Sequence, residues 1–150
     1  MSDVNKTLLQ LSTFLPYRLS LLANRISRAL ADKYQSDFQI SRPQWRLMAV
    51  LGEQPDLSAA DLVEHTAMDK VAVSRAVKDL KNRNLLLQQP DPEDKRRFRL
   101  RLSRAGQATY AAIVPIAAAY EASILAQLNA REREQLGQLL SKLDTLDLRP

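Results

Sequence analysis

The sequence predicts a mainly α-helical fold with one small β-hairpin. Three observations carry this. With only 3 Gly and 5% aromatic residues, the 150-residue chain is dominated by Ala, Leu, Gln and Arg, which favour helices. Apolar residues recur at spacings of three and four through most of its length. Strict alternation occurs once, in Phe98-Arg-Leu-Arg-Leu102, the period of a half-buried strand.

The elements follow in order. Pro16 suits the first turn of a helix running to about Tyr34, with Leu19, Leu22, Ala23, Ile26, Ala29 and Leu30 on one stripe. Ser41 with Gln44 forms a capping-box pattern opening a helix through Trp45, Leu47, Met48, Val50 and Leu51. After the linker Glu53-Gln-Pro-Asp-Leu57, Ser58 with Asp61 caps a short helix carrying Leu62 and Val63. Asp69 is placed to cap the next, which ends near Arg83 with Asn84 as a left-handed stop. The hairpin spans Leu85 to Leu102, turning at Pro90-Asp-Pro-Glu-Asp94. Ser103 then caps a long helix to about Leu128, interrupted or kinked at Pro115. Asn129 with Glu132 opens a last helix through Leu136, Leu139, Leu140 and Leu143.

Helix, tight turn, helix and basic hairpin, over residues 58–104, is the order of a winged helix-turn-helix. The outer helices exceed what such a lobe needs for its own core. Leftover apolar faces at both chain ends commonly pair with a second copy. The organisation expected is a helical dimerisation region at 1–35 and 105–150 around a DNA-binding lobe at 36–104.

Composition removes several function classes. The absence of cysteine excludes disulfides, thiolate metal sites and thiol redox switches. A single histidine, His65, argues against a histidine metal cluster or a His-dependent triad, and no phosphate-cradling Gly loop is present. No enzyme and no cofactor are therefore expected. The reading also finds no apolar run approaching the ~18 residues of a membrane span and no signal-peptide pattern, so a cytoplasmic protein without a membrane partner is expected.

Charge placement says more than total charge. Residues 66–106 hold 11 Lys/Arg against 5 Asp/Glu, a net +6, whereas the other 109 residues hold 11 against 12. The whole excess of a +5 protein thus sits on the helix-turn-helix segment, as a polyanion-binding surface requires.

In the helix from Asp69, Val73, Val77 and Leu80 with Ala76 should face the core, leaving Lys70, Val71, Ser74, Arg75 and Lys78 on the opposite side. Arg75 is the candidate for a bidentate contact to guanine, which needs a planar fork. Ser74 suits a base edge or phosphate, and Val71 a thymine methyl. Lys70 and Lys78 suit phosphates. A merely solvated helix face is the competing reading.

On the wing, Lys95, Arg96 and Arg97 form a cationic tip able to reach a narrow minor groove. Asp91 and Asp94 can each hold a guanidinium in one rotamer. Arg99 and Arg101 share a strand face and are phosphate candidates or ordinary polar residues. His65 reads as a boundary residue, Trp45 as core, and Glu132 and Glu134 as a solvated face.

These stretches resemble the MarR family of bacterial transcriptional regulators. The matching segments are Gln44-Trp-Arg-Leu-Met-Ala-Val-Leu51, Ser58-Ala-Ala-Asp-Leu-Val63, Val73 through Leu86, Asp91-Pro-Glu-Asp-Lys-Arg-Arg97 and Leu102-Ser-Arg-Ala-Gly106. The resemblance implies a homodimer with interlocked terminal helices, the Asp69 helix in the major groove and the wing in the minor groove. The family's wing Asp and Arg fall on Asp94 and Arg96. Asn84 stands where the family usually has Gly, and it tolerates the same conformation. The lack of cysteine removes the thiol mechanism of peroxide-sensing members. Many members are repressors released by small phenolic or lipophilic anions, which by analogy would bind here near Tyr17, Arg18 and Trp45.

The function expected is a dimeric, sequence-specific regulator of double-stranded DNA with a pseudo-palindromic operator. A nonspecific architectural binder and a winged helix used for protein contact are the rivals.

Overall fold

The computed structural model describes residues 8–148. A single 3-10 turn, Leu11–Thr13, precedes α1 (Leu15–Phe38), α2 (Arg42–Glu53), α3 (Ala59–Thr66) and α4 (Lys70–Asn82). Strands β1 (Leu86–Pro90) and β2 (Phe98–Leu102) follow, then α5 (Arg104–Leu125) and α6 (Ala130–Asp144). The result is a mostly helical chain with a two-stranded antiparallel wing. Residues 1–7 and 149–150, the ends of the expected dimerisation region, lie outside the described residues.

Helix starts are fixed by their caps. Ser41 Oγ accepts from the Gln44 N–H at 3.3 Å while Gln44 Oε1 accepts from the Ser41 N–H at 3.0 Å. Ser58 and Asp61 repeat this at 3.1 and 3.0 Å, and Asn129 and Glu132 at 2.9 and 3.0 Å. Asp69 accepts from the Ala72 N–H at 2.7 Å. Each such cap satisfies otherwise orphaned donors and contributes about 1 kcal/mol.

Other boundaries differ from the sequence reading. The first helix runs a turn past Tyr34, because Ser36 and Asp37 do not break it and Gln39, left-handed at φ 53°, supplies the stop. The Ser103 helix is unbroken across Pro115 and ends at Leu125, with Arg133 Nε donating to the carbonyls of Leu125 and Leu128. The expectation of no membrane-length apolar run also needs correction. Residues 108–125 carry a single charge, Glu121, and α5 is long and apolar enough by length and composition to cross a membrane. Its many alanines fill the length without standing out as hydrophobic.

By contacts the chain falls into two compact units, Met1–Tyr110 and Ala111–Pro150. The core of the first is built from Tyr34, Leu47, Met48, Leu62, Val73 and Leu80, closed by Leu100 and Leu102 of β2. Val77, expected in the core, is only half-buried. The strands pair Leu86 with Leu102 and Pro90 with Phe98, and Leu57 adds a third, single-residue bridge to Leu100. This bridge pins the α2–α3 linker to the wing.

The start of α5 is knitted to the exit of α4. Asn84 is left-handed at φ 57°, as the sequence predicts for a helix stop. Ser103 Oγ donates to the Asn84 carbonyl at 2.6 Å and accepts from the Gly106 N–H at 3.0 Å. A Cβ on Gly106 would stand 2.1 Å from the Leu85 carbonyl oxygen, so only glycine permits this approach.

Candidate nucleic-acid interface

Helix α4 separates two chemistries. Val73, Ala76 and Leu80 are buried, whereas Lys70, Val71, Ser74, Arg75 and Lys78 are exposed on the side turned away from the core. Val71 is 67% exposed, an apolar group held in solvent among cations. Burial in this chain does not account for its placement.

The wing turn is organised by its two aspartates. Asp91 accepts from the Glu93 N–H at 2.9 Å and from Arg99 Nε at 3.1 Å. The Glu93 N–H and then the Arg99 guanidinium hold its carboxyl below the usual carboxylate range. Asp94 accepts from the Arg96 N–H at 3.0 Å and lies 3.8 Å from Arg97 Nε. Asp94 therefore meets Arg97 as a loose, exposed ion pair and meets Arg96 only through its backbone. Lys95, Arg96 and Arg97 are all exposed.

Two adjoining recesses, which share Ala59, Ala60 and Val77, lie beside α4 and the wing. A cleft of about 450 Å³ is lined by Ala59, Ala60, Val63, Lys70, Ser74 and Val77 among others. A neighbouring one of about 350 Å³ uses Ala59, Ala60 and Val77 again and continues to Gln88, Arg96, Arg97 and Phe98. The recess beside the wing cations therefore meets α4 at Val77, and the one beside Lys70 and Ser74 adjoins it. Asp61, at the start of α3, has a lowered pKa, first from its Ser58 hydrogen bonds and last from the charge of Arg97.

Sequence reasoning missed two long-range tethers. Arg101 Nε and Nη2 each donate at 2.7 Å to the carboxylate of Asp56, itself left-handed at φ 66°. Arg83 donates from Nη1 to the Gln39 carbonyl at 2.7 Å and from Nη2 to the Phe38 carbonyl at 3.1 Å. Lys81 Nζ also donates to Gln88 Oε1, joining α4 to β1. The partners lie up to 45 residues apart and share no periodicity. Pro55-Asp56 in a linker was the one local signal for a special backbone.

Tyr17, Arg18 and Trp45 are not brought together within one chain. Trp45 is half-buried between Tyr34 and Tyr110, with ring centroids 5.8 Å away on each side. Tyr17 and Arg18 are exposed near the start of α1, roughly 25 Å along the helix from Tyr34 at 1.5 Å per residue. Burial pushes the Tyr34 hydroxyl up to about 12, against the opposing charges of Arg42 and Arg46. Among the described residues, no group of three or more His, Asp or Glu is placed to hold a metal ion.

A capped helix-turn-helix whose second helix presents cations beside a cationic hairpin defines a winged-helix DNA-binding protein. Comparison with known proteins narrows the class. Residues 38–97 match the profile of the MarR family, and the chain belongs to that family. It is 30% identical over 115 residues to the transcriptional repressor NicR of Pseudomonas putida, spanning 77% of this chain and 73% of NicR. It is 28% identical over 104 residues to the transcriptional regulator HosA of Escherichia coli, spanning 69% of this chain and 77% of HosA. Its fold is similar to that of Bordetella bronchiseptica BpsR, whose DNA binding is regulated by 6-hydroxynicotinic acid. That match has a TM-score of 0.80 and 26% identity and covers 93% of this chain and 99% of BpsR. The protein is a MarR-family transcriptional regulator and not an enzyme.

Proposed function

We propose that the protein is a homodimeric, cytoplasmic repressor that reads a pseudo-palindromic operator and is released by a small effector. One observation carries the reading: α4 turns Lys70, Val71, Ser74, Arg75 and Lys78 to solvent, and the wing packed beside it exposes Lys95, Arg96 and Arg97. Helix α4 enters the major groove, where Arg75 forks onto guanine, Ser74 meets a base edge or phosphate and Val71 meets a thymine methyl. Lys70 and Lys78 bind phosphates and set register. The wing places Arg97 and Arg96 in the adjacent minor groove, with Asp94 ordering the tip and Lys95 and Arg99 on the flanking backbone.

The second copy is supported by apolar surface left in solvent. Leu8, Leu9, Leu15, Leu19 and Leu22 are 43–81% exposed near the start, and Leu139, Leu140 and Leu148 are 47–80% exposed near the end. Large apolar side chains exposed at both ends of a chain are characteristic of an interaction site. Paired terminal helices also give the apolar α5 a protein partner rather than a lipid one. Two recognition helices about 34 Å apart would then meet successive major grooves.

Release follows by population shift: an effector that prefers a different helix separation lowers operator affinity. The response of BpsR to an aromatic acid supports a small phenolic or lipophilic anion as the effector class. An effector site that uses Tyr17 and Arg18 together with Trp45 requires the second copy.

The test is binding-site selection from a random DNA pool, followed by affinities at two salt concentrations. An enriched inverted repeat with a specificity ratio above ~10³ is expected. Steep salt dependence without enrichment would replace this reading with an architectural binder. No binding would favour a winged helix used for protein contact.

A further inference from the structure

We infer that Arg83 is a positioning residue for operator binding: its guanidinium straps the end of the recognition helix to the end of α1 and so fixes the separation of the two recognition helices. The inference rests on the dimeric, operator-binding reading above. Arg83 directly follows the last residue of α4. Its two Nη groups reach consecutive carbonyls, Gln39 at 2.7 Å and Phe38 at 3.1 Å. Phe38 is the last residue of α1, and Gln39 is its left-handed cap.

Both acceptors belong to the orphaned carbonyls of a helix C-terminus, where the partial negative charge of the helix dipole is concentrated. A planar guanidinium spans two adjacent carbonyls in one rotamer, whereas an ammonium on a flexible stem does not. The bonds reach back 44 and 45 residues, so they join elements rather than complete a local cap. Helix α4 otherwise packs on α2, α3 and β1, and relates to α1 chiefly through α2. The strap adds a direct link at the far end.

The leverage comes from α1. This helix of 24 residues is roughly 36 Å long. Its starting half carries the exposed Leu15, Leu19 and Leu22 assigned above to the second copy, and its finishing end carries the carbonyls that Arg83 holds. One rod therefore connects the proposed dimer contact to the recognition helix. Without the strap, α4 keeps its core face but loses the bond that sets its angle to that rod.

The experiment uses the full chain with Arg83→Ala, Arg83→Lys and Arg83→Gln. Each is titrated against the selected operator, against versions with half-sites moved one base pair closer or farther, and against random DNA. Sedimentation and thermal melting accompany every variant. Arg83→Gln keeps the side-chain stem should the alanine variant fail to fold. The wild type should favour the native spacing by at least about tenfold, and loss of the strap should cost the native operator about tenfold, the scale of one charge-assisted hydrogen bond. The spacing preference should collapse to about twofold or threefold in all three variants, with dimer mass and random-DNA affinity unchanged. Failure of Arg83→Lys to restore the preference would mark the fork, not the charge, as the active feature.

Equal losses on operator and random DNA, with the salt slope reduced by about one, would overturn the strap in favour of a phosphate contact. Weaker operator binding at an unchanged spacing preference would reduce Arg83 to a structural role. A wild type without operator preference or dimer mass would instead overturn the regulator reading, and the strap with it.

Discussion

The Tyr110 ring lies so close to Gly52 that a Cβ on that glycine would stand 2.5 Å from the ring's Cζ. Helix α5 therefore meets the end of α2 ring against backbone, and the same ring stacks on Trp45 at 23° between planes. Gly52→Ala should cost about 1–3 kcal/mol by forcing the ring outward. Denaturant unfolding followed by far-ultraviolet circular dichroism measures it. In a Tyr110→Ala background the same substitution should cost far less, because the clash is gone. Equal penalties in both backgrounds would contradict this packing.

Gly106 should be less forgiving. The obstacle to its Cβ is the Leu85 carbonyl oxygen, which is backbone and cannot rotate aside. Gly106→Ala should cost at least as much as Gly52→Ala, about 3 kcal/mol, and lower the melting temperature accordingly. A neutral effect would mean that α5 can start elsewhere.

Two substitutions on α4 should separate reading from holding. Arg75→Ala should relax base preference at one operator position and cost about 1–3 kcal/mol there, with little loss on random DNA. Lys78→Ala should weaken all sequences alike and flatten the salt slope by about one. Mobility-shift titrations at two salt concentrations distinguish them. Equal losses for Arg75→Ala on operator and random DNA would remove its assignment as a base reader.

Asp56→Asn should loosen the wing more than it destabilises the protein. The Asp56–Arg101 pair is half-exposed, its side chains 37% and 43% accessible, so its direct contribution is at most about 1 kcal/mol after solvent screening. Its geometric role is larger, because it ties β2 to the linker before α3. Faster hydrogen exchange at β2 amides is expected, with a melting temperature nearly unchanged.

Tyr34 makes stability fall at high pH. Its folded pKa, pushed up to about 12 by burial, lies above the ordinary tyrosine value of 10.0, so the unfolded chain loses its proton first. The stability this group provides is complete below about pH 10 and drains away as pH rises through 12. Tyr34→Phe should remove that part of the alkaline slope, as read by denaturant melts between pH 9 and 12. An unchanged slope would place the titration elsewhere.

What the sequence made legible was local. Ser41 with Gln44, Ser58 with Asp61 and Asn129 with Glu132 announce helix starts because a cap is written within three residues. Asn84 announces a left-handed stop because its short amide tolerates that conformation. Ala67 adopts the same conformation at φ 54° without any such signal, since alanine carries no preference for it. Val77 fits the apolar stripe yet lines a cleft, since periodicity marks a face and not its cover. The tethers from Arg83 and Arg101 were invisible for a different reason: each depends on where an element distant in sequence happens to end. The Asp94–Arg97 contact was half-visible, because proximity in sequence named the acid but not which of two arginines it would hold.

The flanked indole has a practical consequence. Trp45 is the only tryptophan in the chain, and its two ring neighbours come from α1 and α5. The protein therefore carries its own optical reporter where three helices converge. A change in the tilt of either tyrosine alters near-ultraviolet ellipticity and emission without any label. Titrating DNA or candidate effectors against that signal would follow the motion of the helices in the unmodified molecule.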